Sequence, residues 1–206
     1  MKRLSIIFLL SVIQFYIVQA QIKVSHRASL KKDTVQRNIT PTPTKTVTPP
    51  PPLVYTLTAV KANIRTGNDN KEYPSFVRTY LKVRNTTTTA VFLQEKLRNE
   101  MKSNSNTEFG LEKTGIGSIT LTEIQKDGLE FTIWYEANIH FDAWRIEGVS
   151  ITLEFRDQLG QLHPTLGQKT ITFNNATGFL NAFYERRMTC TTDGYLNPLS
   201  AQMSEY

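Results

Sequence analysis

Cysteine and histidine are scarce in this chain, and their scarcity removes several kinds of site. Cys190 is the only cysteine among 206 residues, and three residues are histidines. One cysteine cannot form an internal disulfide, so we expect the burial of apolar side chains to stabilise the fold. No pair of histidines has the spacing of zinc ligands. We therefore expect neither a disulfide scaffold nor a zinc site.

Motifs of catalysis are also missing. The sequence has no Gly-x-Ser-x-Gly elbow, no phosphate-binding loop and no dinucleotide fingerprint. We predict that the protein is not an enzyme and has no catalytic residues. A weak secreted hydrolase is the alternative, with Cys190 as its nucleophile or with carboxylates such as Glu130 and Glu136 as its acid and base.

Long apolar runs are confined to the start of the chain. Two basic residues precede an apolar stretch at residues 4–18, and small residues around Ala20 follow it. This order is typical of a secretory signal peptide. No later stretch approaches the roughly twenty apolar residues of a membrane-spanning helix. We predict a signal peptide at residues 1–20, cleaved near Ala20, and a secreted or periplasmic mature protein that begins at Gln21 and has no transmembrane segment.

The positive charge of the chain is concentrated before the predicted domain. The whole chain carries +6, of which Lys2 and Arg3 contribute +2 and residues 21–52 contribute +5, so that residues 53–206 carry −1. A nucleic-acid-binding domain would hold its positive charge on a folded face among aromatic side chains, so we expect no nucleic-acid partner. The basic segment would be attracted to an acidic surface, although solvated charge is the simpler interpretation.

Residues 21–52 have the composition of a linker. Large apolar side chains are few, and the sequence ITPTPTKTVTPPPP closes the segment. Proline removes backbone donors and favours polyproline II, in which residues 41–52 would extend over about 37 Å. We predict a disordered, basic and Thr/Pro-rich linker that acts as a semi-rigid stalk or only keeps the domain clear of the export machinery.

Residues 53–206 show the two-residue period of β-strands. In LEFTIWYEANI and VSITLEFR, apolar side chains alternate with polar ones, as in strands with one buried face. Weaker strands are predicted at residues 55–64, 76–83, 116–124 and 169–173, with turns at 66–69, 126–128 and 157–160. The expected fold class is all-β: a single domain at 53–206 that forms an antiparallel β-sandwich of about seven to eight strands.

Two segments depart from this period, and we expect one or two short helical segments there. At residues 90–103, leucine and methionine recur every four residues, which favours an amphipathic helix. Val91, Leu93 and Leu97 would also fit one face of a strand. The sequence GFLNAFYERRM, at residues 178–188, suits a helical or irregular segment that caps the sandwich.

Two segments resemble the lipoxygenase-homology or PLAT-like β-sandwich, especially its short bacterial relatives. In VKANIRTGNDNKEYPSFVRTYLKV, a strand ends in Thr-Gly, an Asp-bearing turn follows, and a Ser precedes the next strand. In HFDAWRIEGVSITLEF, about seventy residues later, Asp-x-Trp precedes a core strand. The chain departs from the pattern at Asn70-Lys71-Glu72, where Asp-Leu-Arg is commoner, and at residues 90–117, a longer connection than usual. The residues that carry the resemblance are Ile64, Thr66, Gly67, Asp69, Ser75, Asp142 and Trp144.

The resemblance implies an eight-stranded sandwich that serves as a binding or targeting module. In this group the module is in some cases assisted by calcium and is not itself catalytic. The resemblance also suggests Asp142, on a neighbouring loop, as a further ligand for a metal site in the turn that follows the first strand.

The stretch IRTGNDNKEYPS, at residues 64–75, has two interpretations. As a turn it needs Gly67 at positive φ and acid or amide side chains bonded to their own backbone. As a metal site it offers hard oxygen ligands of the kind that calcium prefers, although calcium takes six to eight oxygens and the loop is not an EF-hand. Calcium is the one cofactor considered, and its candidate ligands are Asp69, Asn70, Glu72 and Asp142.

A second candidate site lies on the polar face of the strand that begins at Leu129. An exposed Trp134 beside hydrogen-bonding groups would stack on a sugar ring or dock a partner. Alternatively, the segment at residues 93–101 covers Trp134 and the polar groups are a solvated face. Trp144 is expected in the core. The candidate ligand-binding residues are Trp134, Glu136, Asn138 and His140.

The sequence thus favours a secreted, non-catalytic binding or targeting module for a lipid, glycan or protein ligand. A structural component of the cell envelope without a small ligand is an alternative of a different class, as is the hydrolase.

Overall fold

A computed structural model describes residues 51–86, 91–183 and 186–204. The predicted signal peptide and nearly all of the predicted linker lie outside these ranges and stay predictions. The described residues form ten strands and one helix: β1 (Thr56–Thr66), β2 (Phe76–Val83), β3 (Val91–Leu97), β4 (Asn106–Thr114), α1 (Leu121–Asp127), β5 (Leu129–Glu136), β6 (Ala143–Arg156), β7 (Gln168–Phe173), β8 (Gly178–Asn181), β9 (Arg187–Thr192) and β10 (Pro198–Ser204).

The strands bury the side chains that the two-residue period predicted. In β5 the buried apolar side chains include Phe131 and Ile133, and in β6 they include Ile151 and Leu153. The strands predicted at residues 55–64, 76–83 and 169–173 correspond to β1, β2 and β7 and are confirmed. These apolar faces form one core, in which Trp144 is fully buried as expected.

The sheet is antiparallel and nearly closed. Its strand order is β10-β9-β5-β2-β3-β4-β1-β6-β7, and β8 pairs with β6. The sheet has one part that contains β1, β6, β7 and β8 and another that contains β2, β3, β5, β9 and β10. The strand β4 joins these parts, because its first residues pair with β1 and its last residues pair with β3. At the other side of the molecule, Met203 of β10 packs against Gly178 of β8. The all-β class is confirmed, with ten strands in the described residues where about seven to eight were expected.

The helix predicted at residues 90–103 is wrong. The described part of that segment begins with β3, in which Phe92 is buried, and continues as a loop to Met101. The pairing of β3 with β2 shifts register between Gln94 and Leu97, and Lys96 has a φ of 51°. A β-bulge inserts an extra residue and interrupts the two-residue period, so the apolar side chains take on a helix-like spacing.

The strand predicted at residues 116–124 is also wrong, because α1 occupies its second half. Thr120 caps this helix: its hydroxyl accepts from the backbone N–H of Glu123, whose carboxylate accepts from the backbone N–H of Thr120. This reciprocal capping box fixes the first turn. Gly128, in the segment predicted as a turn, ends the helix with a φ of 75°. The turn predicted at residues 157–160 does join two strands, β6 and β7.

In the described part of the segment at residues 178–188, β8 and the start of β9 occur where a helical or irregular cap was predicted. Residues 182, 183 and 186, between these strands, are irregular. Both strands complete sheet pairings, β8 with β6 and β9 with β5 and β10.

The strand directions divide the connections between two ends of the domain. Thr56 pairs with Arg156, and Thr66 pairs with Ile146 at the far end of β1. The first described residues, near Leu53, therefore lie at one end of the domain. The β1–β2, β3–β4 and β5–β6 loops lie at the opposite end, as does the described part of the β8–β9 loop. We call this second end the loop end.

Candidate functional site

A buried carboxylate connects the loops of the loop end. The hydroxyl of Tyr135 donates to Oδ2 of Asp142 at 2.6 Å, and the hydroxyl of Ser75 donates to the same oxygen. The backbone N–H of Asn138 donates to the Ser75 hydroxyl at 3.3 Å. Ser75 and Tyr135 are fully buried and Asp142 nearly so. Burial, and then the hydrogen bond to Asp142, raise the pKa of Tyr135 far above its usual value, so the phenol stays protonated.

A second pair of buried groups holds the end of β1 against β6. The indole N–H of Trp144 donates to the hydroxyl of Thr66 at 3.1 Å, and both residues are fully buried. The next residue, Gly67, was predicted to need a positive φ, and this is wrong because its φ lies outside the left-handed region. Its lack of a side chain matters for space: an added Cβ would lie 2.8 Å from the side chain of Arg145 and 2.9 Å from that of Glu147.

Lys71 is the group at the loop end that sequence reasoning missed. Its side chain is fully buried, and its ammonium donates to the backbone carbonyls of Glu72, Ser75 and Arg98. Burial lowers the pKa of Lys71 to about 8, while the negative charges of Asp142 and Glu100 oppose this decrease. At neutral pH the loop end therefore contains an internal positive charge.

The four candidate calcium ligands lie in the same region but in different environments. Asn70 donates through its side chain to Glu100 at 3.1 Å, and the side chain of Glu72 is exposed. The carboxyl of Asp69 has its pKa raised by burial and then by the charge of Asp142. Within the described residues, no group of three or more His, Cys, Asp and Glu side chains is placed to share a metal ion. The calcium site stays a prediction.

The structure brings together three of the four candidate ligand-binding residues. Glu136, Asn138 and His140 line a cleft of about 390 Å³ whose far side includes Ala182 and Arg186. Glu136 lies 3.9 Å from the guanidinium of Arg78. The lining of the cleft mixes polar and apolar side chains and carries charges of both signs, on Glu136 and Arg186.

Trp134, the fourth candidate, does not line this cleft. It is half-buried on the outer face of β5, where it pairs in register with Arg78 and Arg187. The two-residue period also does not continue to Asp142, because β5 ends at Glu136 and the buried Asp142 faces inward from the loop.

Four apolar side chains of the loop end face solvent, and two of them, Ile139 and Phe183, lie at the edge of this cleft. Phe141 is 91% exposed, Tyr73 is 70% exposed, Ile139 is 58% exposed and Phe183 is 47% exposed. The ring of Phe183 stacks on His140 at 5.3 Å and lies 6.3 Å from the ring of Phe141. We call these four side chains the apolar rim. Sequence reasoning missed the rim, although Phe141 beside a turn-like Asp was a visible signal.

Cys190 does not offer a reactive thiol. It is fully buried in β9, and burial raises the pKa of its thiol to about 12. A nucleophilic cysteine needs an accessible thiolate, so this environment gives no support to a thiol hydrolase.

Comparisons of the chain with family models, with curated proteins and with solved structures find no match. Among the described residues, no helix has the length and apolar character needed to cross a membrane.

Proposed function

We propose that this protein is a secreted, non-catalytic binding module of the PLAT-like kind, and that the loop end docks on a lipid surface. The observation that carries the proposal is the apolar rim, with the almost fully exposed Phe141 at the tip of the β5–β6 loop. An isolated exposed apolar residue needs no explanation, but a cluster on the loops of one end, beside a cleft, is typical of an interaction site.

The composition of the rim favours a lipid surface over a glycan. Ile139 is aliphatic, so it cannot stack on a sugar ring, and one face of Phe183 is already covered by His140. A fluid interface accepts several protruding loops at once without matching their shapes. Tyr73 has the apolar body and polar tip that suit an interface.

The apolar rim is sufficient for weak and reversible binding. Full burial of an apolar side chain contributes about 1.5–3 kcal/mol. Scaled by their exposed fractions of 91%, 58% and 47%, Phe141, Ile139 and Phe183 would together contribute about 3–6 kcal/mol at an interface. The upper half of this range corresponds to a dissociation constant between about 1 mM and 10 μM. The charged groups of the cleft beside them would accept the headgroups.

The direction of the chain agrees with this use. The first described residues, near Leu53, lie at the end of the domain opposite the loop end.

The proposal is tested by cosedimentation of the mature protein with vesicles of phosphatidylcholine and phosphatidylglycerol. We expect a double variant, Ile139→Ser with Phe141→Ser, to lose at least tenfold in affinity. The matched control is Leu159→Ser with Leu162→Ser, two exposed leucines at the opposite end of the domain. It should bind as the wild type does.

Equal losses in the two double variants would contradict the proposal. Binding of insoluble polysaccharide, but not of vesicles, would indicate a glycan module, and self-association without either ligand would indicate the envelope component.

A further inference from the structure

The ammonium of Lys71 is bonded on three sides inside the loop end. It donates to the backbone carbonyl oxygens of Glu72 at 3.0 Å, Ser75 at 2.6 Å and Arg98 at 3.1 Å. A lysine ammonium has three N–H donors and no acceptor. These three carbonyls therefore use its whole hydrogen-bonding capacity.

The carbonyls belong to two loops that are distant in sequence. Glu72 and Ser75 lie in the β1–β2 loop, and Arg98 lies at the start of the β3–β4 loop. The backbone of Lys71 also pairs with Met101 in both directions, at 3.1 and 3.0 Å. Lys71 thus joins the two loops through its backbone and through its side chain.

The surroundings of the ammonium offset part of the cost of burying its charge. The negative ends of three carbonyl dipoles point at it, and the negative charges of Asp142 and Glu100 act on it. Removing one partner of such a buried set leaves the others without compensation, which is strongly destabilising.

The geometry suits an ammonium better than calcium. Calcium takes six to eight oxygens at about 2.3–2.6 Å. Here three carbonyl oxygens lie at 2.6–3.1 Å from Nζ, which is the range of N–H···O hydrogen bonds. The loop end thus has the oxygen chemistry of a cation site but the number and distances of an ammonium site.

We propose that Lys71 is a built-in cation: its ammonium holds the position that a bound metal ion would take at the loop end. The loop end then folds without calcium, and a small side chain at position 71 opens a site for a free ammonium ion. This inference concerns how the two loops are held, and it does not depend on the ligand of the apolar rim.

The test is thermal unfolding of the mature protein and its Lys71 variants. We expect Lys71→Ala to lower the melting temperature by roughly 10 °C, because three buried carbonyls lose their donor. Ammonium chloride should restore several degrees in a saturable manner, and tetramethylammonium chloride at equal concentration should not, because it has no N–H donor. Lys71→Met fills the space with an uncharged chain and should not be rescued.

Two controls complete the experiment. Lys102→Ala removes an exposed lysine of the β3–β4 loop and should leave the melting temperature unchanged. The wild type should show the same melting temperature with saturating calcium and with chelator. The inference is overturned if Lys71→Ala melts as the wild type does, if both salts act equally, or if calcium raises the wild-type melting temperature by several degrees.

If Lys71→Ala does not fold, the wild type alone decides the question by ¹⁵N NMR of its lysine ammonium groups. We expect one ammonium whose protons exchange slowly with water, because three hydrogen bonds protect it. Exchange at the solvent rate for every lysine would overturn the inference.

Discussion

The bond between Tyr135 and Asp142 gives the sharpest test of how the loop end is held. Tyr135→Phe removes one hydroxyl and little else, so Asp142 keeps only the bond from Ser75. A hydrogen bond to a charged group contributes about 1.5–3 kcal/mol. The O–O distance of 2.6 Å and the full burial of Tyr135 place this bond within that range. We expect Tyr135→Phe to lower the free energy of unfolding by about 2 kcal/mol.

A double-mutant cycle isolates this interaction from other effects of each substitution. Asp142→Asn keeps the shape of the side chain but removes the charge that both hydroxyls meet, and we expect it to cost about 3 kcal/mol. The double variant should cost less than the sum of the single variants by about 1.5 kcal/mol. Urea unfolding at pH 7, followed by intrinsic fluorescence, measures all three values. Tyr195→Phe, which alters an exposed phenol, is the matched control and should change stability by less than about 0.5 kcal/mol.

Additive effects of Tyr135→Phe and Asp142→Asn would refute the reasoning, because they would mean that the two groups do not share a bond in the folded protein. A loss below about 0.5 kcal/mol for Tyr135→Phe would have the same meaning.

Three further predictions concern other parts of the domain. Trp144→Ala should lower the free energy of unfolding in urea by about 3–5 kcal/mol, because the side chain is fully buried. Trp134→Ala should lower it clearly less, because Trp134 is half-buried. Equal losses would contradict the placement of Trp144 in the core and of Trp134 on the outer face. Cys190 should resist a thiol reagent at pH 8 in the native protein and react fully in guanidinium; rapid native reaction would show that it is accessible. The pKa of Asp193 is held below its usual 3.8 by the side-chain and backbone hydrogen bonds of Asn197. The charged carboxylate of Asp193 therefore stabilises the fold above pH 3.8, and this contribution is lost as the pH falls. Asp193→Asn should therefore be less stable at pH 7, and a difference from the wild type that persists at pH 2 would contradict this linkage.

The extent to which the sequence predicted the fold depends on the regularity of each strand. The strands β5 and β6 were predictable because an alternating pattern marks one buried face over many residues. For β3 a strand was only the alternative to the predicted helix, because the bulge near Lys96 breaks its period. The helix α1 has seven residues, too few to display a helical period. Its Thr120–Glu123 capping box was the signal that could have found it.

The parts of the candidate site that side chains form could be predicted from the sequence. The parts that backbone carbonyls form could not. The expected proximity of Asp142 to the loop after β1 agrees with its bond from Ser75. Lys71 was not foreseen, because lysine is almost never fully buried. Its partners are backbone carbonyls, which every residue has, so no side-chain pattern in the sequence could indicate them.

The most direct test of the proposed function reports on the tip of the β5–β6 loop itself. An environment-sensitive fluorophore is attached to Phe141→Cys in the mature protein, since the buried Cys190 should not be labelled. The same fluorophore on Leu159→Cys, at the opposite end, is the control. We predict that vesicles of phosphatidylcholine and phosphatidylglycerol shift the emission at position 141 to the blue and leave position 159 unchanged. Unchanged emission at position 141, or an equal shift at both positions, would contradict the proposal that the loop end docks on a lipid surface.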